Sequence, residues 1–263
     1  MTLTHSLKAL IRDLPGIGPA VTQLRLMTLS PPDRRAYEQN IRYDRETLLV
    51  MERVLQPDSN AVDVGAHRGA ILSAMVRLSP NGRHVACEPI AAMAADLRRR
   101  FASVEVHQVA VGEATGTASF THIRNRPAHS GLQPRLYDLP EADVETVTVP
   151  VKRLDEIVPA GRRVAFVKVD VEGGDLNVLR GGLQMIRRSQ PVIVFEAGQK
   201  AAGLYGIVGS DIYDFVSSAI DYSLSTMERW LQGEPPYSRD EFLAVWDSGS
   251  DYYFIACPAG RTH

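Results

Sequence analysis

The chain has 263 residues, a formal net charge of −2, 44% apolar residues and 23% charged residues, enough for one α/β domain with a sizeable core and an extension. The near-neutral balance argues against a large phosphate-binding face, so nucleic acid is not the expected substrate. Cys87 and Cys257 lie in apolar runs without metal-ligand spacing, which argues against a disulfide framework and for buried thiols in a reducing compartment.

No apolar run approaches the ~18 residues of a membrane span. The first residues lack the apolar stretch of a secretory signal. A cytoplasmic protein without a membrane partner is expected.

In chain order, Leu7, Leu10, Ile11 and Leu14 recur at helical spacing, and Pro15-Gly16 ends that helix. A polar stretch containing Pro31-Pro32 follows, and then Leu48, Met51 and Leu55 mark a second helix closed by Pro57. Residues 1–57 therefore read as an N-terminal helical extension to a core domain over 58–263.

The core begins with Ala61–Val64, a buried strand running into the turn Gly65-Ala66-His67-Arg68-Gly69 and a helix that buries Ile71, Leu72, Met75 and Val76. Such a turn is expected to present backbone N–H groups and a helix N-terminus to a ligand. Gly65 allows the sharp turn, and Gly69 allows the helix to pack closely against ligand and sheet. Asp63 is a carboxylate in an apolar strand, which is costly without a partner. An ammonium arriving with the ligand would supply one. The third glycine of the dinucleotide fingerprint is missing, which disfavours a nicotinamide cofactor.

Strand and helix then alternate, the pattern of a parallel sheet with helices on both faces. His84–Glu88 and Val104–Gln108 read as strands, with a helix striped by Met93, Leu97 and Phe101 between them. Residues 109–163 interrupt the order. They contain an antiparallel pair, Thr117–Ile123 and Glu145–Val151, with Pro150 marking an edge. Between these lies a polar, proline-broken loop, Arg124–Ala142, whose arginines, His129 and Tyr137 suit an acceptor-side lid. Val164–Asp170 resumes the core and leads into a helix striped by Leu176, Leu179, Leu183 and Ile186; Val192–Glu196 is another core strand. Residues 211–220 read as helical, and Tyr222–Ser225 and Tyr252–Cys257 as the last strands.

In an open α/β sheet, ligands bind beyond the carboxyl ends of the strands. Those ends carry Gly65, Glu88, Gln108, Asp170 and Glu196, a rim suited to binding a cation and handling protons. Glu88 stands where an acid meets the hydroxyls of an adenosine ribose. Lys168 shares a strand face with Asp170. His84, His107 and His122 read as structural.

The segments VDVGAHRGA, CEP at 87–89, VAVG at 109–112, LDEI at 154–157, KVDVEGGDLNVLRGG at 168–182 and VIVFE at 192–196 resemble, in this order, the FkbM-type methyltransferases. The resemblance spans about 60–197, and the KVDVEG block is its most specific part. His67 replaces a frequent asparagine, and Gly173-Gly174-Asp175 replaces GAE. The resemblance implies a class I methyltransferase (Rossmann-like) fold with a mostly parallel seven-stranded sheet. It also implies S-adenosylmethionine as methyl donor and a hydroxyl acceptor on a sugar, glycoside or secondary metabolite.

On that basis Asp63, Gly65, Ala66, His67, Gly69, Glu88, Pro89, Gln108 and Val109 are the expected donor-binding residues. Asp170, Glu172, Glu196 and His129 are the candidates for the base that deprotonates or orients the hydroxyl. A 2′-hydroxyl RNA methyltransferase using Lys168, Asp170 and Glu196, and a donor-binding protein without catalysis, are the competing readings. These residues are compatible with Mg2+ and with a homodimer but require neither.

Overall fold

The computed structural model describes residues 31–133 and 141–260. Two compact units divide at Arg45/Glu46. The expected helix over Leu7–Leu14 lies outside the described residues. Pro31-Pro32 does not fall in a linker but opens a helix, Pro31–Val54. The first turn of a helix has no intrahelical use for its N–H groups, so prolines are tolerated there. Within the first unit, Arg34 pairs with Glu38 at 3.0 Å and Gln39 donates to the Tyr43 hydroxyl at 2.7 Å. Among the described residues no helix is long and apolar enough to cross a membrane.

The second unit is built on ten strands: β1 (Ala61–Val64), β2 (Val85–Cys87), β3 (Glu105–His107), β4 (Ala110–Val111), β5 (Gly116–Ile123), β6 (Val144–Lys152), β7 (Phe166–Val169), β8 (Val192–Glu196), β9 (Tyr222–Thr226) and β10 (Tyr253–Pro258). A seven-stranded sheet has the order β3-β2-β1-β7-β8-β10-β9. All neighbours are parallel except β10, which runs antiparallel to β8 and β9. The central strands β1, β7 and β8 are buried along their whole length, including Asp63 of β1 and Lys168 of β7.

Helices 70–78 and 91–100 connect β1, β2 and β3. The expected single helix over Leu176–Ile186 is two, Asp175–Gly181 and Leu183–Ser189, divided at Gly182. A Cβ at Gly182 would stand 3.0 Å from the Leu154 side chain, so the break lets the turn 154–157 pack closely. The core joins Val62, Val64, Val167, Val169, Ile193 and Phe195 of the central strands with Leu179, Ile186 and Phe254.

The insertion forms its own three-stranded sheet, β4-β6-β5. The expected β5–β6 pair is antiparallel, Thr117 facing Pro150 and Ile123 facing Val144. However, β6 is the central strand. Pro150 is an edge only locally, because β4 pairs with Val151 and Lys152 and starts just beyond the residue that has no N–H to give.

Candidate functional site

The chain reverses direction across the sheet between β1 and β7, and the strand ends there converge on one edge. Asp63 is fully buried on β1 and faces Lys168 in register across β7. Burial pushes its carboxyl up, outweighing Lys168 beside it and the Leu72 N–H that donates to it. The partner expected from a ligand is therefore present inside the chain: Lys168 Nζ lies 3.8 Å from Asp63 Oδ1. That oxygen is buried from solvent, and at this distance the ammonium acts on it by charge and not through a short hydrogen bond.

The turn after β1 also departs from expectation. The N–H groups of Gly65 and Ala66 both donate to the Cys87 carbonyl, at 3.0 and 3.1 Å, and Gly69 N–H donates to Ala66 O at 2.7 Å. His67, at φ 48°, donates its N–H to Glu88 Oε2 at 2.8 Å. These amides close the turn onto β2 rather than offering an anion site. Gly65 has φ 79°, and a Cβ there would stand 1.9 Å from the Asp170 carbonyl oxygen. At Gly69 a Cβ would meet Leu97 and Phe101, so the glycine admits the neighbouring helix.

Glu88 is buried at the end of β2, and its second oxygen accepts from Ile90 N–H at 2.9 Å. Burial pushes its carboxyl up to about 7 against those two amide bonds. Each oxygen keeps a second lone pair, so a ribose hydroxyl can still donate to it. Ala66 and Val109 are buried, Pro89 is half-buried and Gln108 is exposed after β3.

Asp170, Glu172 and Glu196 are brought together, with one carboxylate oxygen from each within 4.8 Å of the others. Lys168 Nζ stands 3.2 Å from Asp170 Oδ2 and donates to the Gly65 carbonyl at 3.2 Å. The Tyr253 hydroxyl donates to the same Asp170 oxygen at 2.5 Å. Burial opposes ionisation of Asp170, but Lys168 and the hydrogen bonds from Tyr253 and Glu196 hold it below the usual carboxylate range. Burial would likewise lower Lys168, yet Asp170 and Asp63 raise it. Three clustered carboxylates have the spacing to ligate a divalent ion. Asp170 also has the Lys168 ammonium and the Tyr253 phenol against its Oδ2.

Glu172 sits at φ 62° in the turn between β7 and the next helix, followed by Gly173 at φ 103°. Asp175 holds this turn by accepting from Val171 N–H at 3.3 Å and Gly173 N–H at 3.1 Å. Its burial, together with the Asp170 charge, pushes it up to about 8. A Cβ at Gly173 would stand 2.3 Å from Ala201 O, so only glycine fits.

His129 is not part of the acid group. It ends a 3-10 turn, Pro127–His129, and is half-buried. Two residues on, Gly131 bridges to Thr121 and lies against Glu172, where an added Cβ would stand 3.4 Å from the Glu172 Cβ. Arg124 pairs with Asp143, and Asn125 donates to Glu141 O at 3.0 Å, closing the base of the loop. Residues 134–140, including Tyr137, lie outside the described residues.

Two residues of this edge were not expected. Tyr253 reaches it because β10 is antiparallel and therefore begins where its neighbours end, opposite Glu196. Tyr205 hydrogen-bonds the backbone of Leu132 and Gln133, tying the loop to the turn at Gly174. The paired tyrosines at 252–253 were the only local sign of the first, and no sequence signal marks the second.

A seven-stranded sheet in this order, with its one antiparallel strand second from the edge and an acid-lined rim at the switch point, is the class I methyltransferase fold. The sequence matches the methyltransferase FkbM domain over residues 63–225, more than half of the chain, and the chain belongs to that family. It is 30% identical over 145 residues to "Methyltransferase 1" of Beauveria bassiana, covering 47% of this chain and 58% of that protein. It is also 30% identical over 152 residues to "Methyltransferase sdnD" of Sordaria araneosa, covering 46% of this chain and 59% of that protein. The chain thus spans less than two thirds of the length of these curated relatives. Among solved structures, methyltransferase FkbM from Methylobacillus flagellatus KT aligns with a TM-score of 0.48 at 19% identity, covering 77% of this chain and 44% of that one.

Proposed function

We propose that the chain is an S-adenosylmethionine-dependent O-methyltransferase acting on a hydroxyl of a small molecule such as a sugar, glycoside or secondary metabolite. The observation that carries this reading is the character of the switch-point edge. Its turn amides are bonded internally, as a pyrophosphate site would not have them, while Asp63, Glu88, Asp170, Glu172 and Glu196 supply the acceptors that a cationic donor needs. Family membership supports the same chemistry.

When bound, S-adenosylmethionine supplies an electrophilic methyl group on a sulfonium. Asp63, the Gly65–Gly69 turn and Glu88 are the residues that would hold it. Asp170, Glu172 and Glu196, whose carboxylates converge at the strand ends, are the point in this structure that fits such a cation. Asp170 orients the acceptor hydroxyl and receives the proton the methyl group replaces. A base in this position contributes about 100- to 10,000-fold, and holding the hydroxyl in line contributes up to ~7–11 kcal/mol.

Calorimetry tests the donor: S-adenosylhomocysteine should bind and NADH should not. Tight NADH binding with no S-adenosylhomocysteine binding would overturn the assignment. Lys168, Asp170 and Glu196 also suit a 2′-hydroxyl RNA methyltransferase, and a methyl-transfer assay with RNA as acceptor separates that reading. The net charge of −2 weighs against it.

A further inference from the structure

We propose that Tyr253 is a positioning residue for Asp170: its hydroxyl and the Lys168 ammonium, reaching in from different strands, clamp one oxygen of that carboxylate and fix the direction in which it faces the acceptor. The consequence for catalysis rests on the function proposed above; the clamp does not. Lys168 Nζ stands 3.2 Å and the Tyr253 hydroxyl 2.5 Å from the same atom, Asp170 Oδ2. A carboxylate oxygen offers two lone-pair sites. These two donors therefore fill Oδ2, and Oδ1 is the oxygen that neither engages.

Strand register explains why the second donor is a tyrosine. β7 and β8 pair Lys168 with Val194 and Val169 with Phe195, which puts Asp170 level with Glu196. β8 and β10 pair Glu196 with Tyr253, so the three residues lie in one row across the sheet. Two strand spacings, roughly 10 Å, separate β10 from β7. A long, rigid side chain with a donor at its tip crosses that distance over β8. The next residue, Phe254, lies on the opposite face against Phe195 and Phe242, with ring centroids 6.3 and 5.1 Å away, and anchors the start of the strand. Lys168 alone would not fix the carboxylate. Its ammonium is a point charge on a flexible stem, and it also serves the Gly65 carbonyl at 3.2 Å and Asp63 at 3.8 Å. Tyr253 lies beyond residues 63–225, over which the chain matches its family, so family membership assigns it no role.

The test is carboxyl-carbon NMR of the full chain with its aspartate side chains labelled, in EDTA, which needs no acceptor. The Asp170 signal is identified by its loss in Asp170→Asn, or in Asp170→Glu if the amide variant does not fold. The titratable groups facing Asp170 are Asp63 from β1, Lys168 from β7, Glu172 and Asp175 from the turn after it, Glu196 from β8 and Tyr253 from β10. Only the last differs in Tyr253→Phe, which removes one hydrogen bond to a charged group. The Asp170 signal should then titrate about one to two pH units higher. A tyrosine that serves packing alone would leave the midpoint where it is, and an unmoved midpoint would overturn the proposal. A second measurement covers a Tyr253→Phe chain that does not fold. With the nine tyrosines labelled at the ring carbon that bears the hydroxyl, one signal should shift when Asp170 is replaced. A spectrum in which none moves would equally overturn the clamp. Failure of the wild-type chain to bind S-adenosylhomocysteine would sink the methyltransferase reading while leaving the NMR result standing.

Discussion

Asp170 draws its chemistry from what surrounds it. An aspartate at a strand end would ordinarily be a solvated acid. Here an ammonium from two residues earlier and a phenol from the antiparallel strand keep it ionised inside a partly closed edge. A depressed carboxylate is a weak base, but methylation makes the hydroxyl proton strongly acidic, so a weak base in the right place suffices. Asp170→Asn keeps the shape and removes the acceptor charge. Turnover should fall by about 100-fold or more, measured on chain shown to be folded, since the buried Lys168 also loses its partner. Wild-type turnover in that variant and in Glu172→Gln would move the base elsewhere.

At the scale of elements, the turn at Gly65 binds three strands together. Its amides bond to the end of β2, its carbonyl accepts from Lys168 of β7, and its α-carbon faces the Asp170 carbonyl. Gly65→Val should thus act first on the fold: a Cβ 1.9 Å from a backbone oxygen, at φ 79°, forces β1 and β7 apart. We expect a loss of at least about 4 kcal/mol in chemical denaturation, with loss of donor binding as a consequence. Gly161→Ala, where an added Cβ meets nothing within 4 Å, is the control and should stay within about 0.5 kcal/mol. A stable Gly65→Val chain that merely fails to bind would show that the glycine serves the ligand alone.

For the whole molecule, buried carboxyls link stability to pH. Glu88 has its folded value raised from 4.5 to about 7, so the folded chain keeps a proton that the unfolded chain has released. Its contribution is fully present below the unfolded value and is lost as pH rises through 7. Asp175, raised to about 8, acts in the same direction. His84 and His107, lowered chiefly by burial, act oppositely through the unfolded histidine value of 6.5, so the wild-type curve alone mixes both. Glu88→Gln isolates the acid. Between pH 5 and 8 the variant should gain on the wild type by up to about 3 kcal/mol, measured by denaturation at each pH. Parallel curves would mean that Glu88 is ionised throughout.

The sequence by itself determined the elements and their sides. The apolar runs of β1, β2, β7 and β8, alternating with helical patterns, read as buried parallel strands, and the polar ends of β2, β7 and β8 place Glu88, Asp170 and Glu196 on one edge before any contact is known. The family was legible for the same reason, because its motifs are the ends of those strands. Tertiary structure alone decided what those acids face. Which residue of β10 opposes Glu196 is a matter of register between segments far apart in the chain, and a shift of one residue would turn Tyr253 to the opposite face. Likewise no local pattern says that the Gly65 turn bonds its amides inward, since that depends on the carbonyl at the end of β2. Charge state follows the same division: residue type supplies a carboxyl, and only burial and the distance to Lys168 and Tyr253 set where its proton resides.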